Sequence, residues 1–348
     1  MRRAVIRSGL EALYFSGAHR LLGGRWGGVG AILTLHHVRP ARDEPFQPNR
    51  FLEVTPEFLD NALGALRRQG FEVIGLDEMH RRLWTGDLKR RFVCLTFDDG
   101  YRDNREWAYP ILKRHKAPFA IFVPTSFPDR RGDLWWLTLE MAVAASDHVE
   151  VALEDGRRRL TCRTTTEKYA AVDTIHRALR ALPSEERLRA VAELAARAGI
   201  DPAAPCAALC MDWQELSELA ADPLVTIGAH TVNHPRLRKT GEPAVRHEMA
   251  ESAARIEAML GIRPAHFSYP FGDPTSAGPR EFALARELGF KTAVTTRPGV
   301  LFPEHREHLM ALPRISLNGE FQRLRYLKVL TSGAATALRN RFRRVDVG

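Results

Sequence analysis

The feature that most constrains the fold is an alternation of two hydrophobic periods. Short apolar runs rich in β-branched and aromatic residues recur at 31–38, 71–74, 92–97, 119–123, 225–229, 266–269, 292–295 and 309–315. Between them stand longer stretches, at 56–69, 104–115, 244–260 and 280–288, whose apolar residues are spaced for one face of a helix. Gly70, Gly261 and Gly289 fall where helix C-caps would stand. Strands alternating with helices predict a largely parallel sheet, because each crossover returns the chain to the same end. A run of about eight such units predicts a barrel closed from βα repeats rather than an open sheet.

One segment breaks the rhythm. From 129 to 211 strand signals are lacking, apart from a hairpin pattern near 149–161 around Asp155-Gly156. Helical patterns follow at 167–182 and, after Pro183-Ser184, at 185–198. This predicts a helical insertion capping one side of the barrel. The chain then reads as a helical, basic extension over 1–30, a barrel over 31–318 carrying the insertion at 129–211, and a basic helical tail over 319–348.

Composition narrows the classes. A hydrophobic content of 45% and a charged content of 27% are those of an ordinary globular chain, and no tract is apolar enough to span a bilayer. Arg7, Glu11, His19, Arg20 and Arg25 interrupt any signal-peptide core, which predicts a cytoplasmic protein. The net charge of +9 is partly concentrated at Arg2, Arg3, Arg339, Arg341, Arg343 and Arg344. That surplus predicts a solvated basic surface; as a binding role it would attract anionic lipid head groups, in peripheral contact with a membrane, or an acidic substrate. No aromatics interleave with the basic clusters, which argues against nucleic acid. The four cysteines are too few for a disulfide scaffold, and the pair Cys206 and Cys210 lacks a second pair for a metal knuckle.

Two constellations carry chemistry. Phe92-Val93-Cys94-Leu95 runs directly into Thr96-Phe97-Asp98-Asp99-Gly100, placing two adjacent carboxylates where a strand ends. Burying two acids is costly unless they act, and strand C-terminal ends are where α/β folds bind ligands. Leu224-Val225-Thr226-Ile227-Gly228-Ala229 runs likewise into His230-Thr231-Val232-Asn233-His234. Histidines at i and i+4 on a helical turn can reach one cation, and two His plus one carboxylate form a common catalytic zinc shell. One carboxylate would complete that shell. The other would take a proton from water acidified by the metal.

The motifs Thr96-Phe-Asp-Asp-Gly100 and His230-Thr-x-x-His234 resemble those of the polysaccharide deacetylases, the NodB-homology group of carbohydrate esterase family 4, over roughly 32–317. The resemblance implies a distorted (β/α) barrel of the NodB type, into which the helical insertion read above is set. It implies Asp98 as general base and Asp99, His230 and His234 as ligands of a divalent metal, zinc first, with cobalt, nickel or manganese as substitutes. It implies an N-acetylated oligo- or polysaccharide substrate, of the chitooligosaccharide or poly-N-acetylglucosamine type, from which acetate is released. An O-acetyl esterase at the same site and an idle carbohydrate-binding homologue are the alternatives.

Two departures stand out. The family's Arg-x-Pro-aromatic motif is here Ser268-Tyr269-Pro270-Phe271-Gly272, so the arginine that orients the base is replaced by Ser268. By resemblance Tyr269, Pro270 and Phe271 line the groove, with the Phe271 N–H on the oxyanion. Arg314, ending a late strand, is the candidate substitute for the missing arginine. The family's Leu-x-His motif, which supplies the general acid, has no histidine here. His36, at the end of the first strand, aligns with a histidine of relatives acting on poly-N-acetylglucosamine and is the candidate acid. Trp135, in Asp133-Leu134-Trp135-Trp136, is the candidate sugar-stacking platform.

Overall fold

The computed structural model describes residues 2–153 and 156–347. Its sheet strands are β1 (Gly30–Leu35), β4 (Glu72–Val73), β5 (Phe92–Asp98), β6 (Phe119–Val123), β9 (Val225–Ala229), β10 (His266–Ser268), β11 (Thr292–Pro298) and β12 (Leu312–Ser316). A two-stranded pair, β2 (His37–Val38) with β3 (Glu53–Val54), lies beside it, and β7 (His148–Leu153) with β8 (Gly156–Thr161) forms the hairpin of the insertion. The turn expected at Asp155 lies outside the described residues.

Every pairing in the main sheet is parallel, and the order β1-β12-β11-β10-β9-β6-β5 returns to β1 through a β1–β5 ladder running from Gly30↔Phe92 to Leu35↔Phe97. The result is a closed barrel of seven strands. The eighth, β4, pairs only with the first two residues of β5, below the point where β6 takes over that edge at Leu95. Eight strand signals thus yield a ring of seven, because two residues are too few to hold a place along the whole wall.

Full burial of β1, β5 and β6 explains their continuous apolar runs. Helix α3 (Pro56–Arg68) begins with Pro56 at its first position, and the Thr55 side chain caps Phe58 N–H. It lays Phe58, Leu59, Ala62, Leu63 and Leu66 against the barrel. Helices α11 (Glu242–Leu260) and α12 (Pro279–Glu287) pack on the same core. The insertion has its own: α6 (Trp135–Ala144), α7 (Thr165–Ala181) and α8 (Ser184–Arg197) bury Leu139, Val143, Ile175, Leu179, Val191 and Leu194 with the hairpin's Val149 and Val151. At the termini, α1 (Arg2–Phe15) and α2 (Ala18–Trp26) pack with α13 (Leu324–Thr331) and α14 (Ala334–Arg339). Since all barrel strands point one way, their C-terminal ends share one rim. On that rim lie His36, Asp98, Asp99, His230 and Phe271.

Candidate active site

Asp98 ends β5, 2% exposed, and meets Arg314 of β12 across the barrel. Both Arg314 terminal nitrogens donate to the carboxylate, Nη1 to Oδ1 at 2.8 Å and Nη2 to Oδ2 at 2.7 Å. Arg314 Nε donates to the Thr295 carbonyl at 2.8 Å, Nη1 also to Thr96 Oγ1 at 3.2 Å and Nη2 to Ser268 Oγ at 3.0 Å. The fork is therefore fully engaged, which a buried guanidinium needs if it is not to destabilise the fold. Ser268, standing where the arginine of the Arg-x-Pro motif was expected, contacts the arginine that reaches Asp98 from another strand. Burial alone would push the Asp98 carboxyl up; Arg314, with His230 and His36 behind it, outweighs that and holds it below the usual carboxylate range.

Asp99 is left out of this network. It sits at φ 72°, which turns the chain sharply out of β5. Its Oδ1 is buried and, among the described residues, without a hydrogen-bond partner, 3.7 Å from His230 Nε2 and 3.5 Å from His234 Nε2. The three ligand atoms lie within 4.8 Å of one another. Burial, and then the charge of Asp98, push the Asp99 carboxyl up to about 8. His230 Nδ1 bonds the Ser268 carbonyl at 2.6 Å, which leaves Nε2 as the lone-pair nitrogen toward Asp99. Burial lowers both imidazoles, well below the ordinary value for His234, so they stand neutral as a metal requires. An orphaned carboxylate oxygen facing two neutral imidazoles fits a divalent cation of the zinc class.

The segment 230–234 is not the helical turn the i, i+4 spacing suggested. It is a loop with left-handed residues at Thr231 (φ 68°) and His234 (φ 55°). Glu248 of α11 fixes it: Oε2 accepts from Val232 N–H at 2.8 Å and Asn233 N–H at 2.9 Å, and Oε1 from Asn233 Nδ2 at 2.9 Å. The imidazole centroids still converge to 4.9 Å.

The other expected residues divide. His36 follows β1, and its carbonyl accepts from Asn104 Nδ2 at 2.7 Å. Asn104 opens a π-helical turn, Asn104–Ala108, whose neighbour Asp103 bonds His37 Nδ1 at 2.6 Å. This wide turn locks the His36-His37 step onto the rim. Burial pushes His36 down to about 4, the nearby Asp98 charge opposing this and Arg314 adding to it. Phe271 takes φ 60° and its ring lies 5.0 Å from that of His234. Gly272 follows at φ 60°, and a Cβ there would come within 2.6 Å of Thr296 N, so the turn admits only glycine. Pro270 is buried, its carbonyl accepting from Gly272 N–H. Tyr269 is not brought to the site. It is fully buried, its hydroxyl donating to the Met310 carbonyl at 2.9 Å and its ring packing on Phe267 and Phe282. Trp135 stacks on His176 at 5.5 Å, while it is Trp136 whose ring faces His234, also at 5.5 Å. Trp136, Glu248 and the Asp103-Asn104 pair gave no separable signal in the sequence.

A barrel with this rim defines a carbohydrate-deacetylase type of fold, and the comparisons agree. The family model described as polysaccharide deacetylase matches residues 85–293, more than half of the chain. The chain belongs to the polysaccharide deacetylase family. No curated relative matches it by sequence. Among solved structures it is similar to the Streptococcus pyogenes deacetylase PplD in complex with acetate, at 20% identity and TM-score 0.56, covering 83% of this chain and 92% of that one. It is also similar to IcaB from Ammonifex degensii, at 18% identity and TM-score 0.52, covering 87% and 96%. A polysaccharide deacetylase from Bacillus cereus aligns at 14% identity and TM-score 0.53, covering 86% and 68%. At these identities the likeness is one of fold.

Proposed function

We propose that this protein is a metal-dependent N-deacetylase that hydrolyses acetamide groups on an N-acetylated oligo- or polysaccharide. The observation that carries the reading is the pair of adjacent carboxylates with opposite surroundings: Asp98 held ionised by Arg314, Asp99 left facing His230 and His234. Acetate bound in the similar Streptococcus pyogenes enzyme supports an acetyl product. A divalent metal, zinc foremost, would be held by Asp99, His230 and His234 and would acidify water and polarise the acyl oxygen there.

Asp98 then accepts a proton from the attacking water, and Arg314 keeps its carboxylate aimed. The Phe271 N–H, which has no acceptor among the described residues, stabilises the oxyanion. The carbon–nitrogen bond breaks, giving acetate and a free amine. His36, neutral at rest, relays to that amine the proton released by the attack. Trp135 and Trp136 offer the sugar an aromatic wall.

We read the whole as one barrel over 31–318 with its insertion at 129–211, flanked by helical extensions over 1–30 and 319–348. A cytoplasmic location belongs to the same reading, supported by four buried unpaired cysteines. Among the described residues no helix is long and apolar enough to cross a membrane. The N-terminal helices and the turn after α14 expose Val5, Phe15, Leu21 and Phe342 among Arg7, Arg20, Arg25, Arg341 and Arg343, a composition suited to peripheral contact with anionic lipid. Sedimentation with anionic but not with zwitterionic vesicles would support that contact.

The test of the activity pairs metal content with acetate release. About one metal per chain, and release from N-acetylglucosamine oligomers that chelation abolishes and metal restores, is the expected result. Release from O-acetyl substrates alone would make it an esterase. Metal binding with no release from either would leave a carbohydrate-binding protein.

A further inference from the structure

Beside His234 lies a cavity of about 460 Å³ whose walls include Asp133, Trp135, Arg187 and His234. Arg187 comes from α8, in the insertion, and Arg236 stands two residues beyond His234; they are 2% and 5% exposed. Both guanidinium groups flank the ring of Phe271, their carbons 5.8 and 4.7 Å from its centroid, and Arg187 also lies 5.2 Å from the ring of Trp135. Two cations from distant parts of the chain thus converge on the aromatic residue next to a proposed metal ligand.

Neither cation has a carboxylate partner within 4 Å among the described residues. Arg187 Nη2 donates to Ser184 Oγ at 3.3 Å, a neutral and long contact, and the buried Nε of both arginines has no partner among the described residues. What separates them from other buried arginines is the missing carboxylate: Arg314 has Asp98, and Arg297, whose Nε is likewise unpartnered, has Asp346 and the Ala277 carbonyl. Burial and mutual repulsion with Arg236 push Arg187 down to about 10. The acids in reach compensate only in part. On the cavity wall Glu185 and Glu186 are exposed, and Glu248 is engaged by the 230–234 loop. The charge of Asp133 opposes the lowering of Arg187 without forming an ion pair within 4 Å, and Asp273 lies 3.9 Å from Arg180 rather than against Arg236. Contact with aromatic faces returns only part of what two desolvated guanidiniums lose. Their planar forks match carboxylate and phosphate oxygens.

We propose that Arg187 and Arg236 receive an oxyanion carried by the N-acetylated substrate, so that the enzyme takes an anionic amino-sugar glycan in preference to a neutral N-acetylglucosamine polymer. This rests on the deacetylase reading of the site and narrows it. The insertion is then a specificity element: it delivers one of the two arginines to the rim. The net charge of +9 would favour encounter with such a substrate.

Binding is measured by tryptophan fluorescence on metal-loaded Asp98→Asn, with the metal-stripped wild-type chain as a second form that does not turn over. The probes are di-N-acetylchitobiose as the neutral sugar, N-acetylmuramic acid as the carboxylate and N-acetylglucosamine 1-phosphate as the phosphate. Acetate release by the wild-type enzyme is followed on the same three. At least one anionic probe should bind 10-fold or more tightly than the neutral sugar, and the preference should weaken with salt. Arg187→Gln and Arg236→Gln should each remove most of that preference, while Arg187→Lys and Arg236→Lys, which keep the charge, should retain part of it. A stronger carboxylate than phosphate response would indicate an acidic sugar, and the reverse a sugar phosphate. Equal binding of neutral and anionic probes, or a preference that survives both glutamine variants, would overturn the inference. If neutral and anionic probes bind alike and acetate is released, the deacetylase reading stands and the anion site falls. If an anion binds selectively and no probe yields acetate, the anion site stands and the deacetylase reading falls.

Discussion

The two carboxylates at the end of β5 are neighbours in the chain, yet the two halves of the rim receive them in opposite ways. On the β12 side Asp98 meets a guanidinium through two bonds of 2.8 and 2.7 Å, and that guanidinium is itself held by Thr295, Thr96 and Ser268. On the β9 side Asp99 presents an oxygen with no partner to two imidazoles that burial keeps neutral. The first half is complete within the protein; a buried ion pair of this geometry repays its desolvation only because every donor is used. The second half lacks positive charge, and its electrostatics record the lack: Asp99 is pushed up to about 8. The contrast teaches a division of labour. On the proposed function, the complete half would fix a base in one orientation, and the incomplete half would be finished by a cation.

Removing the base should have the largest effect. Asp98→Asn is expected to lower kcat by about 10³-fold, within the range general bases contribute, while metal content stays near that of the wild type. Loss of metal in this variant would abolish the distinction between the two carboxylates. Arg314→Ala comes next. It strands a buried charge, so a destabilisation of about 3–5 kcal/mol is expected in denaturant titration, together with loss of activity. Arg314→Lys should fall between, since it restores charge without the fork. A cost under about 1 kcal/mol for the alanine variant would mean that Asp98 does not depend on this pair.

The incomplete half makes a pH prediction. In the unfolded chain Asp99 loses its proton near pH 4, whereas in the metal-free folded protein it holds it to about 8. The folded state therefore binds the extra proton between those values, and its stability from this group falls as pH rises through that window. Buried histidines with lowered values, such as His36 and His305, act in the opposite sense below about pH 6.5, so the comparison must be with a variant that keeps them. Metal-stripped Asp99→Asn should gain in melting temperature over metal-stripped wild type from pH 5 to 8. Metal should restore the wild type and do little for the variant. Parallel melting curves at all pH values would show that Asp99 carries no such burden.

How far this site could be read in the sequence depends on how local its geometry is. The acidic pair and the histidine pair each follow a strand, and parallel strands put their ends on one rim, so the residues that meet were legible together. Arg314 was legible for the same reason, as a charged residue on a late strand. Tyr269 marks the limit of strand position taken alone. Successive residues leaving a strand face opposite sides, and with Ser268 turned to Arg314 the tyrosine had to turn to the core. Asp98 and Asp99 escape that rule only because Asp99 adopts φ 72°, a departure no spacing announces. The ring of seven was hidden by β4, which carries a strand's composition but pairs through only two residues. Arg187 and Arg236 lie in different segments, and only tertiary packing brings both to Phe271.

The smallest effect concerns how the histidine pair is held. The i, i+4 spacing pointed to a helix, in which backbone hydrogen bonds alone would set the two rings. In the loop that actually forms, two residues are left-handed and the backbone N–H groups of Val232 and Asn233 turn to a single carboxylate, Glu248. The position of His234 thus depends on a residue well downstream, on α11. Glu248→Gln keeps size and one acceptor oxygen but puts an amide group against one set of donors. Metal affinity, read by competition with a chelator, should fall about 10-fold, as it does when groups supporting metal ligands are altered, with little change in melting temperature of the metal-free protein. Unchanged affinity would mean that the left-handed turns hold the loop unaided. A larger loss than that from Arg314→Lys would make α11, rather than the β5–β12 pair, the more sensitive support of the rim.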